Sequence, residues 1–309
     1  MTTQVLLFVF PHSPAFLNDV VRLCIGMAAS CAVFLPLERV FALHRQKVLR
    51  REAAVDVGYY FINGLLIGML LSAPLSLVVR GAHHFLPAGF YSTVGALPVW
   101  LRAVLALVVG EVGYYWGHRL SHEIPFLWRF HAVHHSAREM DFLVSSRGHP
   151  VDLVFSRLFT LVPIYILGIA NPLKASGNIF AILVLLMSAN WSYLIHANLR
   201  WRLGKLEWLI TSPAFHHWHH TRTGKIDHNY ATMLPWMDRI FGTHHLPRGE
   251  WPESYGITAR MPETLPEQLI YPLFPQLPGL APTQAPAAKR AARQPIEEFP
   301  KPCQSPSGS

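Results

Sequence analysis

The sequence predicts an all-α fold: an integral membrane bundle of about four to five apolar helices under a histidine-rich cap on one side. Three observations predict it. Apolar runs close to the roughly 20 residues that span a bilayer recur along the chain. Hydrophobic residues make up 51% and charged residues 14%, against a charged share of about 25% in soluble domains. Histidines gather in three clusters at helical spacing, between and around those runs.

Taken in order, the first apolar run extends from Val20 to Phe41, with Arg22 and Glu38-Arg39 at its edges and Pro36 near its end. The second, Gly58 to Val79, carries no charge. The third, Leu97 to Trp116, holds Glu111 and leads directly into His118. A carboxylate there is a functional hint, because ionisable groups in membrane helices are costly and face a polar interior. The fourth run, Leu153 to Ala170, is followed by the turn Asn171-Pro172, and the fifth spans Ile179 to Ile195 and ends at His196. These last two are expected to cross fully, out and back.

Lysine and arginine set the orientation. The loop after the first run holds Arg45, Lys47, Arg50 and Arg51, while the stretch from Gly81 to Pro98 has neither residue. Positive residues mark the cytoplasmic side. Counting crossings then puts all three histidine clusters on the cytoplasmic face.

The remainder of the chain fits this frame. From Arg200 to Trp251 it is aromatic and basic, including Trp201, Trp208, Trp218 and Trp236, as befits a cap on the bilayer surface. After Met261 prolines recur, and the tail contains KRAAR and ends SPSGS; this composition predicts partial disorder. The opening MTTQVLLFVF lacks a basic region and a cleavage site, so it predicts an interfacial or frayed start rather than a signal peptide. Cys24, Cys31 and Cys303 imply no disulfide framework and no CxxC metal motif. The formal net charge is +8, but low charge density and long apolar runs exclude a nucleic-acid partner.

The clusters are His118-x3-His122, His131-x2-His134-His135 and HHWHH at His216, His217, His219 and His220. Residues three and four apart share a helix face. His118 and His122 therefore project together, as do His131, His134 and His135, and His216, His219 and His220. Imidazole ligates iron, zinc and copper. Eight same-face histidines exceed the four ligands of one tetrahedral zinc and suit two metals. Ligating histidines must be neutral, and free histidine titrates near 6.5, so metal binding is expected to weaken below about pH 6. Metal-bound histidines donate their other N–H to a carboxylate or carbonyl, for which Asp141, Asp227, Asp238 and Glu111 are the candidates.

HRLSH, LWRFHAVHHSAREMDFLVSSRGHP, SPAFHHWHHT and DHNYATMLPWMDRIFGT together resemble the fatty acid hydroxylase, or sterol desaturase, superfamily, from about Leu105 to Thr243. The resemblance implies O2-dependent hydroxylation or desaturation of a lipid by a non-haem di-iron centre. It also implies a small bundle of membrane helices under a cytoplasmic cap. The family's motif positions match His118, His122, His131, His134, His135, His216, His219 and His220, with His217 at a variable position. A histidine followed by asparagine before the third motif matches His196 and Asn198. The position four residues after His196, often a second histidine in the family, is Arg200. His149, in RGHP, is the candidate to complete the ligand set, and His228 is expected to support it. Beyond the metal centre no side chain is assigned a catalytic role.

On this reading residues 1–95 hold N-terminal membrane helices, 96–250 the catalytic unit and 251–309 the Pro-rich tail. Electrons must come from outside, because no flavin or haem motif is present. A ferredoxin or cytochrome-b5-type donor docking on the basic cytoplasmic face is the expected partner, beside the lipid substrate and the membrane. Two other classes stay open. A membrane zinc hydrolase would place a glutamate base in H-E-x-x-H, and His118-Arg119-Leu120-Ser121-His122 has none. A non-catalytic metal-binding membrane protein would use the same ligands.

Overall fold

The computed structural model describes residues 15–170 and 179–274. The first ten residues, the Asn171-Pro172 turn and the KRAAR-containing tail lie outside them. Among the described residues there are ten α-helices, two 3-10 helices and no strand. In chain order the α-helices are α1 (Ala15–Val40), α2 (Ala53–Phe85), α3 (Ala88–Gly95), α4 (Val99–Glu123), α5 (Pro125–His135), α6 (Pro150–Ile166), α7 (Ile179–His196), α8 (Pro213–His219), α9 (Trp236–Ile240) and α10 (Leu265–Ile270). The 3-10 helices are Phe142–Ser146 and Gly204–Trp208.

Helices α1, α2, α4 and α7 are long and apolar enough to cross a membrane, and the chain is an integral membrane protein. Helix α2 has 33 residues, about 50 Å of rise, and overshoots a hydrocarbon core of about 30 Å. The fourth apolar run forms α6, a 17-residue helix that starts with Asp152 in its first turn, packs against α2 and α4 and runs beside α4 to the end where Arg102 meets Ile169; it is shorter than the four helices above.

Proline sets where the cap helices begin. Ile124, His149 and Ser212 are extended, and each is followed by the first proline of α5, α6 or α8. The residue before proline avoids the helical region, while proline itself is at home in a first turn. The chain therefore turns sharply between His122 and His131, and again just before the third cluster. Ser212 caps α8 by accepting from the Phe215 amide at 3.2 Å.

The core lies between α2, α4, α6 and α7. Ile67, Leu71, Leu75 and Val79 form a four-residue stripe on α2 against Leu161, Ile164 and Tyr165 of α6 and Phe180 and Val184 of α7. Helices α4 and α6 approach closely at Gly113, where an added Cβ would fall on the Phe159 carbonyl oxygen. At the far end Arg102 donates to the Ile169 carbonyl at 2.8 Å. At the near end the buried pair Arg50 and Arg147 meets Asp56 of α2, Asp141 and Glu52. This ion cluster ties the cap to the start of α2. The C-termini of α4 and α7 and the N-terminus of α6 all reach that near end, so the histidines converge there.

Candidate metal centre

Nine histidines gather in two buried sets. His118, His122, His131, His135 and His219 form one, and His134, His196, His216 and His220 the other; within each set the candidate ligand atoms lie within 4.8 Å of one another. The sets abut, with the His135 and His220 rings stacked at a centroid distance of 4.4 Å. Helix α4 supplies His118 and His122, α5 supplies the second cluster, α7 ends on His196, and α8 with its C-cap supplies the third.

Six of the nine spend Nδ1 on an anchor. His118 donates to the Tyr230 carbonyl at 2.7 Å, His134 to the Arg147 carbonyl at 2.8 Å, His196 to the Ser192 carbonyl at 2.7 Å and His219 to the His228 carbonyl at 2.7 Å. His122 donates to Asp227 Oδ1 at 3.0 Å and His131 to Asp152 Oδ2 at 2.9 Å. A proton on Nδ1 leaves Nε2 as a bare acceptor. The Nε2 atoms of these rings and of His135, His216 and His220 face one another: His118 and His131 at 3.1 Å, His131 and His135 at 3.2 Å, His134 and His196 at 3.2 Å, His196 and His216 at 2.9 Å, His216 and His220 at 3.1 Å. The Nε2 atom of His219 is buried without a hydrogen bond. Lone pairs facing lone pairs are repulsive unless a cation lies between them. Two imidazole nitrogens about 2.1 Å from one metal and at right angles around it stand about 3.0 Å apart. The donor set therefore fits metal ions.

Burial favours the neutral form of the following five rings, which lie outside the long helices. It lowers His134 to about 4, with the neighbouring His131 as the next cause. His135, His216, His219 and His220 are also held well below the ordinary 6.5, first by burial and then by the surrounding histidines.

The expected supporting residues divide. Asp227 holds His122 directly. His228 holds His219 through its carbonyl, while its ring turns to the Ile226 carbonyl at 2.8 Å. Asp238 acts one bond away: it accepts from the Tyr230 and Ala231 amides at 2.7 and 2.9 Å, fixing the loop whose Tyr230 carbonyl meets His118. Glu111 accepts from the Met233 and Leu234 amides at 2.9 and 3.1 Å. Asp141 does not meet a histidine; it pairs with Arg50 at 2.6 Å and accepts from the Val144 amide at 3.2 Å. Asn198 clamps the His44 backbone at 3.0 and 2.7 Å. His149 stands apart from both sets: its Nδ1 accepts from the Val151 amide at 3.2 Å and its Nε2 meets the Leu269 carbonyl at 3.1 Å. It is a helix cap because it directly precedes Pro150. His217 likewise faces away, toward Tyr255 and the Ala197 carbonyl. Asp152 was missed by sequence reasoning; its signal was a carboxylate opening an apolar run.

Residues 103–243 match the family model for fatty acid hydroxylase. The ornithine lipid hydroxylase of Rhizobium tropici is 33% identical over 177 residues, 57% of this chain and 51% of that protein. The alkylglycerol monooxygenase of Xenopus tropicalis is 33% identical over 134 residues, covering 43% of this chain and 28% of that protein. The Delta(7)-sterol-C5(6)-desaturase of Nicotiana tabacum is 32% identical over 156 residues, 49% and 52% of the two chains. The matched stretch thus spans about half or less of these relatives. No solved structure gives a significant match. All three histidine clusters, with His196 and their anchors Asp152, Asp227 and Tyr230, fall inside residues 103–243, the stretch through which the chain is similar to fatty acid hydroxylases and sterol desaturases.

Proposed function

We propose that this protein is an O2-dependent di-iron oxygenase that hydroxylates a lipid, and that the nine converging histidines are its metal ligands. His118, His122, His131, His135 and His219 hold one iron; His134, His196, His216 and His220 hold the other. The observation that carries this reading is the convergence of histidine Nε2 atoms, bare where Nδ1 is anchored, in two adjacent sets. Zinc in a tetrahedral site takes four ligands, and five donors around one position exceed that. The names of the relatives, two lipid oxygenases and a sterol desaturase, support a lipid substrate.

When bound, the irons supply O2 activation against an unactivated C–H bond. The overall change takes one C–H, O2, two electrons and two protons to one C–OH and water. The electrons come from a ferredoxin or cytochrome-b5-type donor. The chain's own residues do the rest. The anchors on Nδ1 fix six of the nine rings and their tautomers. Asp152 and Asp227 supply negative charge beside neutral ligands. Buried walls exclude water from the reacting carbon. The site faces the cytoplasm by the positive-inside rule; Arg45, Lys47 and Arg51 carry that argument, since Arg50 is consumed in the buried ion cluster.

The test is metal analysis of the purified protein, followed by 18O2 labelling of membranes and mass spectrometry of their lipids. About two irons per chain and one 18O atom in a lipid are expected. Label confined to water-soluble metabolites would overturn the reading. An unlabelled new double bond would replace hydroxylation by desaturation and leave the metal assignment standing.

A further inference from the structure

A cavity of about 260 Å³ lies inside the bundle and reaches His131, His134 and His196. Its walls come from α1, α2, α4, α6 and α7. A passage built for a hydrocarbon tail alone would be apolar. This one is mostly apolar but carries polar groups along two helix faces. Helix α6 presents Asp152, Ser156, Arg157 and Thr160, and α7 presents Ser188 and Ser192 below His196.

Arg157 is the unusual group. Every other arginine in the bundle interior is engaged: Arg50 and Arg147 with Asp56, Asp141 and Glu52, and Arg102 with the Ile169 carbonyl. Among the described residues no carboxylate pairs with Arg157, and no hydrogen bond is made by it. Its electrostatic neighbours are the hydroxyls of Tyr114 and Tyr193, which also line the cavity. The cavity's two acids are committed elsewhere, Asp152 to His131 and Ser121, and Glu111 to two backbone amides. An arginine lining the cavity without a counter-charge leaves that cavity one anion short.

Arg157 is five residues into α6 beyond Asp152, about 7.5 Å along the helix. That places it just below the histidines and level with the α4 segment around Gly113 and Gly117, which packs on Phe159. We propose that Arg157 binds the carboxylate or phosphate of an acidic lipid, whose polar end, rather than its chain terminus, enters the cavity beside the histidines. Guanidinium suits both anions through paired N–H donors. The volume admits a headgroup and its first carbons, not a whole two-tailed lipid. The inference names the substrate class for the lipid oxygenase proposed above and rests on that reading.

The test is native mass spectrometry of the full-length, iron-loaded protein in detergent. Two matched pairs serve as probes: an N-acyl amino acid against its methyl ester, and phosphatidic acid against diacylglycerol. Wild type should bind at least one acid ten-fold or more tighter than its uncharged partner, and the pair that discriminates identifies carboxylate or phosphate. Arg157→Gln should erase that ratio with iron content unchanged, and Arg157→Lys should keep part of it. Equal binding within both pairs by wild type, or a full ratio in Arg157→Gln, overturns the anion site; the wild-type comparison stands even if the variants fail to fold. Oxygen entering lipids without any headgroup preference defeats this inference alone. A headgroup preference with no oxygen entering any lipid defeats the oxygenase reading and leaves the anion site in place.

Discussion

His131 and Asp152 meet at 2.9 Å, ring nitrogen to carboxylate, across the junction of α5 and α6. Asp152 also accepts from Ser121 of α4 at 3.1 Å. One buried carboxylate thus orients a histidine and joins three helices. Asp152→Asn keeps the shape but removes the charge and puts an amide where His131 needs an acceptor. Metal affinity should fall about 10–100-fold, the usual cost of losing such a support, with the melting temperature much less affected. Glu123→Gln, which breaks only an exposed pair with Arg119, is the control and should leave affinity unchanged. Equal affinities in the two variants would remove Asp152 from the site.

Alanine replacements sort the histidines. His134→Ala or His219→Ala should abolish turnover and lower metal content. His83→Ala and His84→Ala, at the opposite end of α2, should do neither. His149→Ala should retain metal, since both its nitrogens serve the backbone around α6 and α10, but should lower stability by about 1 kcal/mol as a lost cap. Metal loss in His149→Ala matching that of His134→Ala would return it to the ligand set.

The histidine clusters were legible because metal ligation from a helix needs a shared face, and a shared face needs spacings of three and four. The turns that bring them together were legible as prolines at 125, 150 and 213. The anchors were not. Tyr230, Arg147, Ser192 and His228 hold histidines through their carbonyls, and every residue has one. Asp141 and Asn198 had the right chemistry near the right motifs, yet Arg50 and the His44 backbone claimed them. Such long-range competition leaves no local trace. The polar cavity face did leave one, in Ser188, Ser192 and His196 at four-residue steps.

Burial changes the expected pH window. His134 is held near 4 and His135, His216, His219 and His220 well below 6.5 in the folded protein. An unfolded chain protonates these rings near 6.5. Between about 6.5 and 4 the unfolded state therefore binds more protons, and stability falls as pH falls. The melting temperature of the metal-free protein should drop steadily across that window. Metal should persist at pH 5.5 and leave closer to 4, lower than free histidine alone would suggest. Complete metal release by pH 6, or a melting temperature flat across the window, would contradict this account.

Helices α4 and α6 carry much of the site between them, and their spacing is set at Gly113. A Cβ there would fall on the Phe159 carbonyl oxygen, which is backbone and cannot rotate away. Gly113→Ala must push the two helices apart, at about 1–3 kcal/mol for overpacking. His118 and His122 ride on α4 and Asp152 on α6, so the shift should also stretch the Ser121–Asp152 bond and, through Asp152, loosen His131. Both melting temperature and iron content should fall. Gly68, on the open face of α2 with nothing within 4 Å of an added Cβ, provides the comparison: Gly68→Ala should leave both unchanged or raise the melting temperature slightly. A Gly113→Ala protein that melts and binds iron like wild type would show that close contact between α4 and α6 does not govern the site.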